Sequence, residues 1–214
     1  WAVPVGTLHG ATEVGTITWG TQGESRPVSG VSLRIRHDDG SVSEKGQGEL
    51  LVKSDAMFDG YLLAREAEID LGEQIDGHFL TGDLACIHDD GRVQITGRLK
   101  SQFDVAGLKV NPVEVEKVLQ AHPGVREIAI VPLRLSDTVT RVRAVVVTDS
   151  GDVDTLRSDL SAFAAKALAS HLRPRVIDFQ DSLPRTPSGK ILRQMLEEEA
   201  SVKPADHSGR STSV

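Results

Sequence analysis

Three short segments carry polar groups that packing explains poorly. The first is Gly10-Ala11-Thr12-Glu13, which follows an apolar run. A glycine lets backbone approach a ligand, a hydroxyl can donate to a phosphate oxygen, and a carboxylate can hold magnesium. The same residues also read as a loop entering a helix, with Thr12 as its cap. The second is Phe79-Leu80-Thr81-Gly82-Asp83, followed by Arg98. A carboxylate after a glycine turn can accept hydrogen bonds from a vicinal diol such as a ribose. Gly-Asp is equally an ordinary Asx-type turn. The third is Leu183-Pro184-Arg185-Thr186-Pro187-Ser188-Gly189-Lys190, a loop stiffened by prolines with a lysine at its tip. Such a lysine can enter a neighbouring site as a point charge, or simply be a solvated surface group. Gly-Lys stands here without the full G-x-x-x-x-G-K-[ST] pattern, so a P-loop is not indicated.

The elements that must position these residues change character along the chain. Residues 1–97 read as mostly β, with strands expected at 1–7, 16–18, 32–36, 48–53, 85–88 and 93–96. They are short, rich in Val, Ile, Leu and Thr, and separated by Gly, Asp and Pro. His37–Gly40 and His88–Gly91 both read HDDG, a hairpin signal rather than a repeat. The second hairpin should return the chain on itself and make Asp83 and Arg98 neighbours. This half has no helix to cover its strands, and several lack evident partners, so it is expected not to stand alone.

From Arg98 the pattern alternates. A hairpin is expected around Ala106-Gly107, then a helix at 112–122 with Val113, Val115, Val118 and Leu119 as its apolar positions. Strands follow at 126–133 and 141–148, an amphipathic helix at 153–172, a strand at 175–179 and a short helix at 191–200. The fold class is therefore α+β. The expected division is a β-rich part at 1–97, a compact α+β domain at 98–200 and a flexible polar tail at 201–214, with few apolar contacts between the first two.

The 214 residues fit one or two domains, and 39% hydrophobic with 26% charged residues excludes wholesale disorder. A net charge of −7 gives no global basic field for nucleic acid or an anionic membrane. The single cysteine, Cys86, excludes an internal disulfide and a cysteine-cluster zinc site. With no apolar run near the ~20 residues of a transmembrane helix and no signal peptide, a cytoplasmic location is expected. The chain opens on Trp1 rather than Met, inside what reads as a buried strand, so it is expected to be the C-terminal part of something longer. His9, His37, His78, His88, His122, His171 and His207 show no ligand spacing and read as structural or solvent-facing.

In their order, five stretches resemble the motifs of the adenylate-forming superfamily: acyl-CoA synthetases, luciferases and peptide-synthetase adenylation domains. Gly10-Ala11-Thr12-Glu13 resembles Gly-x-Thr-Glu. Gly48-Glu49-Leu50-Leu51-Val52, running on to Gly60-Tyr61, resembles GE-(L/I)-x-V…GY. Gly77-His78-Phe79-Leu80-Thr81-Gly82-Asp83 resembles G-W-[FY]-x-T-G-D. Gly97-Arg98-Leu99-Lys100-Ser101, through Gly107 to Glu116, resembles the hinge motif. Pro184 to Arg193 resembles the terminal P-x-x-x-x-G-K-x-x-R. The resemblance covers roughly residues 1–196; the stretch Val105 to Pro112 looks more like acyl-CoA synthetases than like peptide-synthetase adenylation domains, and the chain is most like a fatty acyl-CoA ligase.

The resemblance implies the β-rich end of a large adenylate-forming domain followed by a small mobile α+β domain. It implies ATP-dependent conversion of a carboxylic acid to acyl-adenylate with release of pyrophosphate, then transfer to coenzyme A. On this resemblance Thr12 contacts the phosphates, Glu13 helps hold Mg²⁺, and Asp83 takes the ribose hydroxyls of AMP with Arg98 beside it. Lys190 is the adenylation lysine and Lys100 the hinge. The hairpin at Gly107 serves the thioester step, where glycine lets pantetheine pass close to backbone. Glu114 and Glu116 are expected to organise their helix rather than do chemistry. His78 stands where the family has Trp, a change expected to affect packing only, and Asp104 stands where luciferases carry a second lysine. The family's Ser/Thr/Gly-rich phosphate loop has no counterpart here, and the missing upstream part of the large domain is expected to complete the site. Residues before Gly10 are expected to border the acyl pocket, with Gly6 leaving room. Two other readings stay open: transfer to a carrier protein, although no carrier domain follows Lys190, and a non-catalytic remnant or binding module.

Overall fold

The computed structural model describes residues 5–21, 24–62, 69–136 and 138–202, with side chains to Glu199. The expected strand at 1–7 therefore falls partly outside the described residues, as do His207 and residues 203–214 of the expected tail. The chain divides into two compact units, Trp1–Lys100 and Ser101–Val214.

The first unit is built on one large sheet. Its strands are β1 (Gly6–Ala11), β2 (Gly15–Thr21), β3 (Glu24–Pro27), β4 (Val31–Arg36), β5 (Val42–Ser43), β6 (Gly46–Ser54), β7 (Tyr61–Leu62), β8 (Ile69–Asp70), β9 (Gln74–Ile75), β10 (His78–Ile87) and β11 (Val93–Arg98). The order is β1-β2-β3-β11-β10-β6-β4-β5, with β9 added to β10 and with β7 and β8 paired apart. The strands expected to lack partners thus find them. The link that the sequence hides is β3, a polar Glu-Ser-Arg-Pro segment joining β2 to β11 through Ser25↔Val93. Hydrophobic periodicity cannot reveal a strand with no apolar face. Val14, Ile17, Ile35, Leu50, Val52, Phe79 and Ile87 bury the inner face.

Three local expectations need correction. Thr12 caps no helix: Gly10-Ala11-Thr12-Glu13 closes the antiparallel β1–β2 pair. Phe79 to Asp83 is not a turn between strands but an irregular stretch inside β10, where pairing with β6 breaks between Leu80 and Leu84 and Gly82 has φ +69°. Gly6 leaves no room for a ligand, because the Trp19 ring lies against it: a Cβ there would come within 2.0 Å of that ring. The hairpin from β10 to β11 forms as expected, with Gly91 N–H donating to His88 O and His88 N–H to Arg92 O.

The second unit contains β12 (Phe103–Val105), β13 (Leu108–Val110), α1 (Pro112–Leu119), β14 (Glu127–Ser136), β15 (Val139–Val147), α2 (Val153–Ala167), β16 (Pro174–Phe179) and α3 (Arg193–Val202). Strands β14 and β15 are antiparallel, and β15 and β16 are parallel, joined by the α2 crossover. The continuous apolar runs of β14 and β15 follow from a sheet covered on both faces. Ile128, Ile130, Ala144 and Val146 pack with Leu119, Leu160 and Ala164 of α1 and α2. Ala129, Val131, Val145 and Val147 pack with Leu183, Ile191 and Leu196. Helix α2 stops at Ala167 rather than Leu172. Leu168 is extended and stays buried, and its carbonyl accepts from Arg173 Nε at 2.9 Å.

Glu116 of α1 joins three elements. Its Oε1 accepts the Ile130 N–H of edge strand β14 at 2.8 Å, and Arg193 Nη2 at the start of α3 donates to both oxygens at 2.8 and 2.7 Å. The expectation that Glu116 organises structure therefore extends well beyond its own helix. Replacing it with alanine strands a guanidinium and a backbone donor that are mostly buried. Glu116→Ala is expected to cost about 2 kcal/mol in the unfolding of the second unit, read by urea denaturation, while Glu114→Ala costs under about 0.5 kcal/mol.

Candidate functional site

A cleft of about 1080 Å³ opens on the first unit. Thr12, Glu13, Arg98 and Lys100, four of the residues singled out from sequence, line it. Gly10 is needed where β1 enters the turn, because a Cβ there would come within 2.7 Å of the Gly15 carbonyl oxygen.

Asp83 is 1% exposed, so its carboxylate must be paired. Arg98 is its register partner across the β10–β11 hairpin, and Arg98 Nε lies 2.5 Å from Asp83 Oδ1. The other oxygen, Oδ2, lies 3.0 Å from His9 Nε2. The backbone N–H of Asp83 donates to Thr81 Oγ1 at 3.0 Å, and that hydroxyl donates to the Leu50 carbonyl at 2.8 Å. The irregular Thr-Gly-Asp stretch is thus tied to β6 by a side chain where the backbone ladder fails. Both cleft-lining partners of Asp83, His9 and Arg98, border the opening. The carboxylate itself does not line the cleft and its side chain is 2% exposed, so a vicinal diol reaches it only if His9 or Arg98 moves aside.

His9 is the residue that sequence reasoning missed. Instead of being merely structural or solvent-facing, it joins the Asp83 cluster from β1. In sheet order β2, β3 and β11 lie between β1 and β10. The sheet must curl strongly to close that gap, and spacing in the sequence carries no trace of it. His78, by contrast, is a packing residue as expected. It is 4% exposed, its Nδ1 donates to the Asp76 carbonyl at 3.2 Å, and its Nε2 lies 3.1 Å from Ser32 Oγ.

Glu13 is held from two sides by one segment. Phe58 N–H donates to its carbonyl at 2.8 Å, and the Tyr61 hydroxyl donates to its Oε1 at 2.6 Å. Tyr61 packs edge-on against Phe58 at 4.7 Å, and Phe58 against Phe79 at 5.6 Å. Among the described residues no three metal-ligating side chains cluster. The donor set suits Mg²⁺ arriving on a polyphosphate and keeping most of its water and phosphate ligands, with one protein carboxylate added, rather than a closed protein cage.

Gly107 and Lys190 belong to the second unit. Ala106 (φ +53°) and Gly107 (φ +79°) form the two-residue turn of the β12–β13 hairpin, with open space beside Gly107. Asp104 faces Lys109 across that hairpin. Lys190 is exposed and follows Gly189 at φ +87°.

The bond to Glu13 stabilises the protonated phenol and pushes the Tyr61 pKa from 10.0 up to about 12. This contribution to stability is fully present below pH 10 and is lost as pH rises toward about 12. Tyr61 is the chain's single tyrosine, so phenolate absorbance reports it alone. Titration with circular dichroism on the same samples is expected to show the phenol resisting ionisation above pH 10 while the fold persists, and Glu13→Ala restoring an ordinary titration.

Residues 114–190 match the family model of the AMP-binding enzyme C-terminal domain. A long-chain-fatty-acid–CoA ligase of Mycobacterium tuberculosis, FadD13, is 34% identical over 79% of this chain and 33% of its own length. A 4-coumarate–CoA ligase-like protein of Arabidopsis thaliana is 31% identical over 92% of this chain and 38% of its own. The ATP-bound structure of MatB from Rhodopseudomonas palustris superposes with a TM-score of 0.80 at 31% identity, over 91% of this chain and 40% of that one. The chain thus spans between a third and two-fifths of the length of these relatives. Motif order, a β-rich unit with its cleft, and a following α+β unit agree with one another: the chain belongs to the adenylate-forming enzymes and carries their C-terminal domain.

Proposed function

We propose that this chain forms the nucleotide-facing end of the large domain and the mobile C-terminal domain of an AMP-forming ligase. That ligase joins a carboxylic acid, in our reading a fatty acid, to coenzyme A. The observation that carries the reading is the buried Asp83 carboxylate, paired with Arg98, which lines a cleft together with Thr12 and Glu13. The carboxylate accepts the ribose hydroxyls once the Arg98 or His9 side chain gives way to the nucleotide. Arg98 and His9 hold Asp83 oriented beside the cleft. The Thr12 hydroxyl donates to a phosphate oxygen at the turn, and Glu13, steadied by Tyr61, offers a carboxylate oxygen to magnesium. A Mg²⁺ ion held there with the phosphates would supply charge neutralisation.

The chemical difficulty is that the carboxylate and the α-phosphate are both anions. Lys190 answers it, placing an ammonium against the oxygens on which charge gathers. Once the adenylate exists, that need is gone. The domain then turns about Lys100, and the Gly107 hairpin admits the thiol of pantetheine, which attacks the acyl carbon and expels AMP. The Val105 to Pro112 stretch favours an acyl-CoA synthetase over a peptide-synthetase adenylation domain, and the FadD13 relative favours a fatty acid.

Lys190→Ala in the natural polypeptide is expected to lower acyl-adenylate formation by about 10²–10³. Thioester formation from supplied acyl-AMP should change far less, because the phosphorus chemistry is already complete. Pyrophosphate exchange run beside single-turnover thioester formation checks this. Equal losses in both would overturn the assignment of Lys190 to adenylation alone, and no loss in either would return it to a solvated surface lysine. Supplying either CoA or a phosphopantetheinyl carrier protein as acceptor identifies the thiol, and a series of acids tests the fatty-acid assignment.

A further inference from the structure

The Lys190 loop is closed by its own backbone. Thr186 N–H donates to the Lys190 carbonyl at 2.8 Å and Gly189 N–H to the Thr186 carbonyl at 2.8 Å. Lys190 N–H donates to Thr186 Oγ1 at 3.1 Å, and Arg185 and Ile191 form an antiparallel bridge at the loop's base. These bonds fix the shape of the turn, but they do not fix its direction relative to the sheet beneath it. Arg185 supplies that second constraint. Its Nη1 donates to the Gly189 carbonyl at 2.6 Å, and its Nη2 donates to Glu127 Oε2 at 2.5 Å, at the first residue of β14. The Gly189 carbonyl belongs to the same rigid peptide plane as the Lys190 nitrogen. Holding that oxygen fixes the plane from which the lysine side chain departs. Thr186 Oγ1 already holds the N–H side of that plane beside Gly189 at φ +87°; Arg185 holds its carbonyl side and ties it to β14.

We propose that Arg185, braced by Glu127, is a positioning residue that aims Lys190; its kinetic part rests on the adenylation role proposed for that lysine. Stability is a poor explanation for the pair. Arg185 and Glu127 are 42% and 37% exposed, and ion pairs so exposed contribute little. A planar guanidinium can bridge two acceptors at once, which an ammonium cannot do with the same geometry.

The test combines motion with kinetics. In the chain itself, Arg185→Gln is expected to lower the backbone NMR order parameters of Gly189 and Lys190 from rigid values near ~0.85 to below ~0.6. Those of β14 and β15 should stay unchanged, and the melting temperature should hold. In the natural polypeptide the same variant should lower kcat for adenylation about tenfold, with KM for ATP and acid unchanged and with thioester formation from supplied acyl-AMP unaffected. Glu127→Gln, which keeps an oxygen acceptor, should retain wild-type adenylation. Glu127→Ala should match Arg185→Gln, and the double variant should be no worse than either single one. Unchanged order parameters, or equal losses in both half-reactions, would overturn the proposal. Lys190→Ala runs in parallel: if it leaves adenylation intact, the role given to Lys190 fails, while the order parameters still decide whether Arg185 fixes the loop.

Discussion

A carboxylate that is 1% exposed dictates much of the first unit. Removing Asp83 from water is costly unless each oxygen is paired. Arg98 answers one oxygen because the β10–β11 hairpin makes it the cross-strand partner. His9 answers the other only because the sheet curls back on itself to bring β1 beside β10. The irregular Thr-Gly-Asp stretch also follows. Regular pairing with β6 is lost there, and Thr81 restores the connection through its hydroxyl while accepting from Asp83's own N–H. The polar cluster and the shape of the sheet are therefore one constraint, and a cleft lined by Gly10, Thr12 and Glu13 lies beside it as a consequence.

The second unit solves a different problem. Its short sheet is apolar on both faces, so each face needs a cover. Helices α1 and α2 cover one, through Leu119, Leu160 and Ala164. The other is covered by Leu183, Ile191 and Leu196, which bracket the Lys190 loop on both sides. The loop is exposed, yet its two ends are anchored in core. Glu116 adds a polar fastening between α1, the edge of β14 and α3.

How much of this was legible follows from what each residue depends on. The β10–β11 hairpin and the turn at Ala106-Gly107 are set by local chemistry, and both form where Asp-Gly and Ala-Gly place them. The juxtaposition of Asp83 and Arg98 was legible for the same reason, since one hairpin connects them. Helix α2 was legible except at its end, where tertiary burial of Leu168 overrides the periodic pattern. Strand β3 was not, because it has no apolar face: it joins β2 to β11 through its backbone and reaches the β10–β11 turn through Arg26. His9 was not, because its place depends on the curvature summed over several strands. Gly6 was misread because room in a sequence is not room in a fold: the indole of Trp19 occupies it.

The two kinds of charge in this chain are held in ways that match what each must do. Asp83 and Glu13 sit on a strand and a strand-closing turn, and each is already held by a protein donor. Displacing a buried carboxylate would break its pairing and cost several kcal/mol. An exposed ammonium is different: hydrated on a long stem, it changes surroundings at little cost. Lys190 stands on a loop rather than a strand and Lys100 in a short 3₁₀ turn, Leu99–Ser101, where the chain passes from one compact unit to the other. On the proposed chemistry, the charges that must wait for substrate are fixed in the sheet. The charge that must come and go between two half-reactions is carried by a loop whose geometry is set and whose side chain remains in water.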